Sequence, residues 1–106
     1  MIVTVFRTRL LPGVREEYLA LAERMNKLAA TMPGYISHKT FFADDGERVT
    51  IVEFESRETL QAWRSHPDHV EAQRQGRLRF YSEYQFTTCE MLHQSAYTRE
   101  NALEGP

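Results

Sequence analysis

Four histidines, His38, His66, His69 and His93, are the side chains of this 106-residue chain that titrate near neutrality. Proton transfer between pH 5 and 8 would start from them. Their spacing does not group them as ligands of a metal ion. Cys89, the only cysteine, allows neither an intrachain disulfide nor a thiolate-rich metal site. Trp63 is the one tryptophan, and Tyr81 and Tyr84 bring phenolic hydroxyls on amphipathic rings. Arg7, together with the cluster Arg74, Arg77 and Arg79, carries positive charge that can meet an anionic oxygen or form a solvated rim.

Each of these residues also has a purely structural reading. Trp63 follows Leu60 by three residues, which is core spacing on a helix. His66 precedes Pro67 at a helix break, where capping is its simplest use, and His69, between Asp68 and Val70, is expected to be exposed. His38 sits within a strand whose inward face the sequence does not fix. Cys89 reads as a small buried hydrophobe.

The elements that must position these groups follow from period and punctuation. Ile2 to Leu10 is rich in β-branched and aromatic residues and ends at Leu11-Pro12-Gly13, a strand and its turn. From Arg15 to Met32 the apolar residues Tyr18, Leu21, Met25, Leu28 and Met32 recur at steps of three and four, predicting a helix that Pro33-Gly34 ends. Tyr35 to Phe42 and Arg48 to Phe54 predict an antiparallel hairpin around Asp44-Asp45-Gly46. Ser56 is suited to cap a second helix bearing Leu60 and Trp63. Pro67 is suited to open a further short helix, with Gly76 closing it. Phe80 to Cys89 predicts the last strand, with Phe80, Tyr84 and Phe86 on one face and Tyr81 on the other.

The order strand, helix, strand, strand, helix, strand is a ferredoxin-like split βαβ arrangement (β-α-β-β-α-β) of the α+β class, an antiparallel sheet carrying its helices on one face. Several strands are apolar at both parities, for example Val3 and Val5 against Ile2 and Phe6, so the bare face calls for cover by a second copy of the sheet. Residues 1–94 are expected to form the domain and 95–106 a C-terminal tail, either disordered or an arm crossing to a partner.

The bulk numbers narrow the function classes. With 42% hydrophobic and 26% charged residues the chain has the composition of one globular domain. A net charge of -2, from 13 basic and 15 acidic residues scattered along the chain, gives no field for nucleic acid or an anionic membrane. No apolar run approaches the roughly 20 residues that span a bilayer, and Ile2 to Phe6 follows Met1 without the pattern of a signal peptide. The expectation is a cytoplasmic protein.

Taken in order, Ile2-Val3-Thr4-Val5-Phe6-Arg7, Pro12-Gly13 before a long helix, Met32-Pro33-Gly34-Tyr35, Ile51-Val52-Glu53-Phe54-Glu55-Ser56, and Ala62-Trp63 followed by His66-Pro67 resemble the antibiotic-biosynthesis monooxygenase domain over roughly residues 1 to 92. The resemblance implies a homodimer whose two sheets close a dimeric α+β barrel, with a small cavity between helices and sheet in each subunit. It also implies a choice of chemistries. Some relatives oxidise quinols or aromatic polyketides with molecular oxygen and neither metal nor flavin; others cleave haem; many have no established reaction. The haem-cleaving branch uses an asparagine late in the first strand and a histidine ten residues after a tryptophan. Those positions hold Phe6 and Gln73 here, with Trp63 matching the tryptophan, so the axial ligand of haem iron is not evident.

An oxygenase without a cofactor needs a pocket for an electron-rich aromatic molecule, a base, and exclusion of water. Under the resemblance, Trp63 would wall that pocket, with His38 or His66 as base and His69 as a weaker candidate. Arg7, Tyr81 and Tyr84 would hold a ring hydroxyl or its anion. The alternatives at this stage are a non-enzymatic dimeric barrel that binds a small molecule and a haem-binding relative.

Overall fold

In a computed structural model, which describes residues 1–99, the chain runs β1 (Ile2–Leu10), α1 (Arg15–Ala29), β2 (Tyr35–Phe42), β3 (Arg48–Phe54), α2 (Arg57–Arg64), α3 (Pro67–Gln75) and β4 (Tyr81–Glu90). The four strands form one antiparallel sheet in the order β2-β3-β1-β4, the split βαβ topology expected from the element order. Of the expected tail, residues 91–98 form no strand or helix, and 100–106 lie outside the described residues.

Strand alternation divides the sheet into two chemically distinct faces. Pairing of Ile2 with Phe54, Thr4 with Val52 and Phe6 with Thr50 puts these residues under the helices. Val3, Val5, Val49, Ile51 and Phe41 point the other way, where no helix among the described residues lies over them, and Phe41 is 46% exposed. The core proper is small: Ile2, Ala29, Phe54, Leu60 and Trp63, flanked by Met25, Leu28 and Tyr35.

Helix α1 stops three residues short of the expected Met32. Ala30 still bonds back to Asn26, but Thr31 and Met32 donate to Leu28 and Ala29, tighter turns that end the helix before Pro33, which disfavours helical geometry in the residue preceding it. Gly34 then takes φ +81°. Its backbone passes so close to α2 that an added Cβ would lie 2.4 Å from the Thr59 Cβ. Thr59 belongs to the cap of that helix. The Ser56 hydroxyl accepts the Thr59 N–H at 3.2 Å while the Thr59 hydroxyl accepts the Ser56 N–H at 3.1 Å.

Gly76 stands at the C-cap of α3, where the sequence puts it, without turning the chain out of helical geometry. It has helical φ -55° and opens one widened, π-type turn over Gly76–Phe80. The ring of Tyr81 fills the space beside it, 2.3 Å from where a Cβ would stand. Phe80 accordingly belongs to this turn rather than to β4. Cys89 is exposed near the strand end, not buried.

Gly34→Ala should therefore destabilise the fold by about 2 kcal/mol or more, through backbone strain plus the clash with Thr59. Gly13→Ala has comparable strain at φ +79° but open space around it, and should lose about half as much. Equal losses in chemical denaturation would show that the Gly34–Thr59 approach contributes nothing.

Candidate functional site

Helices α1, α2 and α3 do not close completely on the inner face of the sheet. They leave a cavity of about 220 Å³, floored by Thr4, Phe6, Thr50 and Val52 and walled by Met25, Leu60 and Trp63. That is smaller than the roughly 300–1,000 Å³ typical of drug-sized ligands and suits one or two fused rings. Every cavity-lining position lacks a carboxylate.

Trp63 serves both core and cavity. It is 6% exposed, packs in the core cluster, and presents its ring to the cavity. His69, expected at the surface, instead stacks on that ring with centroids 4.2 Å apart and planes 16° from parallel. Its neighbours Asp68 and Val70 are exposed, and the helix period turns His69 inward between them. Burial pushes its pKa down to about 4. The carbonyls of Trp63 and Arg64 oppose the shift, yet Nδ1 is buried without a partner of hydrogen-bonding geometry, so desolvation dominates and the ring is neutral at pH 7. His66 is the N-cap of α3: its Nδ1 accepts the Asp68 N–H at 3.1 Å, and it lies outside the cavity lining. The capping role describes it, and its nomination as a base loses geometric support because the ring nitrogen is engaged at the helix start.

His38, on β2, does line the cavity. Its Nδ1 lies 2.6 Å from the Tyr35 hydroxyl, an orienting contact that leaves Nε2 as the ring nitrogen available to a ligand. Asn26, His38 and Arg48 also line a shallow groove on the outer side of α1, so they stand between the cavity and solvent.

Three arginines line the cavity: Arg77, which is exposed, and Arg48 and Arg64, which the sequence reading passed over. Arg48 is 8% exposed; its Nη1 donates to the Tyr18 hydroxyl at 2.9 Å, its guanidinium lies 5.0 Å from the Tyr18 ring centre, and its Nε is unpartnered. Arg64 lies 4.5 Å over the Phe86 ring and its buried Nε is likewise unpartnered. From the sequence, Arg48 counts only as the first residue of a strand that follows a charged turn. The missed signal was parity: it alternates with Thr50, Val52 and Phe54, the buried side of β3.

Parity also corrects Arg7. It falls on the outer face between Val5 and Arg9, half exposed, and donates to Glu47 at 3.1 Å and Gln85 at 3.4 Å, so it cannot reach the cavity. Tyr81 and Tyr84 both line the cavity, with rings 5.6 Å apart. They were expected on opposite faces; a register irregularity between Arg9 and Leu10 and the widened turn before Tyr81 bring both inward. Burial among Tyr18 and its neighbours pushes the Tyr81 hydroxyl pKa far up, so it stays a neutral hydrogen-bonding hydroxyl rather than an anion. Phe6 and Gln73 line the cavity too, so the two positions counted for haem reach the site, and neither side chain is an iron ligand. Among the described residues no three His, Cys, Asp or Glu side chains group as a metal site, and no helix is long and apolar enough to cross a membrane.

A half-covered antiparallel sheet with a pocket between it and its helices defines a ferredoxin-like α+β domain. The sequence profile described as antibiotic biosynthesis monooxygenase matches residues 1–75, and the chain belongs to that family. Among known proteins it is 34% identical over 67 residues to the uncharacterized protein YqjZ of Bacillus subtilis, covering 63% of this chain and 59% of that protein, less than two thirds of the relative's length. Its fold is similar to Rv0793 from Mycobacterium tuberculosis, with a TM-score of 0.80 at 21% identity, covering 90% of this chain and 98% of that one. It is also similar to SnoaB, a cofactor-independent oxygenase from Streptomyces nogalater, with a TM-score of 0.76 at 15% identity, covering 88% and 94% of the two chains.

The buried, neutral His69 makes stability pH-dependent in a defined window. Its pKa in the folded state is about 4 against an ordinary 6.5, so between those values the unfolded chain binds more protons and acid favours unfolding. Stability should fall by up to about 3 kcal/mol between pH 6.5 and 4 from this group. Glu71, held down to about 2 by Arg74, and Asp45, held down by Arg9, add their losses only at lower pH. His69→Phe, which keeps the stack, should flatten the denaturation free energy above pH 4.5. An unchanged slope would place the titrating group elsewhere.

Proposed function

We propose that this chain is a cofactor-independent monooxygenase that works as a homodimer on a small aromatic or quinol-like substrate and molecular oxygen. The observation that carries the reading is the small cavity itself: walled by Trp63, free of carboxylates, and edged by His38 with its ring oriented by Tyr35. Belonging to a family that includes cofactor-independent oxygenases such as SnoaB supports it.

His38 Nε2 takes the proton of a ring hydroxyl, with the Tyr35 oxygen accepting from Nδ1–H and stabilising the imidazolium that forms. The electron-rich ring passes one electron to oxygen, and the radical pair joins at a ring carbon that carries a hydrogen, ortho or para to the deprotonated oxygen. The peroxide takes its proton back from His38. Loss of water, carrying one oxygen atom and the two substrate hydrogens, leaves a quinone carbonyl, so no outside reductant is required. Trp63 and the neutral His69 keep the reacting ring dry.

The outer face of the sheet supports the dimer. Val3, Val5, Val49 and Ile51 lie at its centre with Phe41 beside them, an apolar surface that a second sheet would cover. Val5→Glu should convert the sedimentation profile from dimer to monomer; a monomeric wild-type protein would overturn the assembly.

Metal-free and flavin-free protein should consume oxygen with some member of a panel of quinols and phenols. His38→Ala should lower kcat by about 10²-fold or more, and Trp63→Phe should raise KM. If no member of the panel supports uptake, the oxygenase reading fails and a dimeric binding barrel replaces it.

A further inference from the structure

Five arginines at the surface of this protein pair with an acid, whereas the two whose Nε atoms are buried at its cavity do not, among the described residues. Arg7, Arg9, Arg57, Arg74 and Arg79 each form a salt bridge to a glutamate or aspartate. Arg48 and Arg64 form none among the described residues, although each has a buried Nε with no partner and both line a cavity without a single carboxylate. A buried guanidinium is costly unless an anion or a full set of acceptors meets it. Arg48 has one hydrogen-bond acceptor, the Tyr18 hydroxyl, and otherwise only ring faces. Phe6, Trp63, Tyr81 and Phe86 supply apolar walls beside these two charges.

We propose that the cavity selects an aromatic carboxylate, whose anionic oxygens accept from Arg48 and Arg64 while the ring packs against Trp63. This rests on the pocket being the reactive site and specifies what it prefers: a hydroxylated aromatic acid over a neutral quinol or phenol. The arginines then bind and position the substrate, and His38 acts on the ring hydroxyl. The cavity volume of about 220 Å³ keeps such a ligand to one or two rings.

The test is calorimetric titration of the full chain with 1-hydroxy-2-naphthoate and with its methyl ester, which keeps the ring and hydroxyl but removes the charge. The acid should bind about tenfold tighter or better, the scale of one charge-assisted hydrogen bond. Arg48→Gln and Arg64→Gln should each remove most of that preference and leave ester affinity unchanged, while Arg57→Gln, on the surface with Glu90, should leave both intact. Unliganded Arg48→Gln should melt no lower than the wild type, since a purely structural arginine would lower the midpoint; if it does not fold, Arg64→Gln decides. Equal affinity of acid and ester, binding of neither, or a preference that survives both substitutions overturns the inference. Oxygen uptake separates it from the oxygenase reading: preference for the acid without turnover keeps this site and sinks the oxygenase, and equal turnover of acid and ester does the reverse.

Discussion

The stack of His69 on Trp63 is the contact on which the geometry of the site depends. Trp63 is the last large apolar residue of α2 and is fixed on its other side by Ile2, Phe54 and Leu60. Pro67 opens α3 as a separate helix, and a side-chain contact back to α2 helps hold its place. His69, in the first turn of α3, supplies that contact. The direction of α3 in turn sets where Gln73 and Arg77 meet the cavity and where the widened turn releases Tyr81. A histidine in this place carries a cost that phenylalanine would not, because its ring nitrogen is buried without a partner.

Against this apolar corner stands a cationic one. The sheet supplies Arg48 from β3 and α2 supplies Arg64, and both are held by aromatic faces rather than by acids: Tyr18 for one, Phe86 for the other. Aromatic faces stabilise a guanidinium without neutralising it. The cavity thus keeps a positive potential that a carboxylate at the same distance would extinguish. The protein avoids that outcome by placing its acids at the surface, where Glu47, Asp45 and Glu90 meet Arg7, Arg9 and Arg57.

The element order was legible in the sequence because each transition is locally encoded. Pro33-Gly34 stops a helix, Asp45-Gly46 turns a hairpin, Ser56 caps and Pro67 restarts. The site was only half legible, for reasons that are geometric. Trp63, His38, Tyr81 and Tyr84 do line one cavity, but chemical type alone also nominated Arg7 and His66, which strand parity and a cap bond remove from it. Arg48 shows the converse: residue type did not nominate it, whereas the alternation through Thr50, Val52 and Phe54 puts it inside. Where parity and residue type disagree, the backbone period decides, because one step of register moves a side chain from one face of the sheet to the other. Tyr81 escapes even that rule, since the irregularity at Arg9 and Leu10 breaks the period itself.

The two faces of the sheet follow opposite compositional logic. The outer face carries Val3, Val5, Val49 and Ile51, plain β-branched packing groups with no polar duty. The inner face, although it lies under the helices, carries Thr4, Thr8, Arg48 and Thr50 among its most buried residues. Neither face is of one kind: Ile2, Val52 and Phe54 also lie beneath the helices, and Arg7 and Arg9 share the outer face. The polar interior is costly: the Thr8 hydroxyl and the Arg48 and Arg64 Nε atoms are all buried without partners. A ligand that completed these hydrogen bonds would offset their cost, and cover over the apolar outer face would recover stability that the inner face gives up. Under the proposed function, site polarity and assembly are then linked through the same strands.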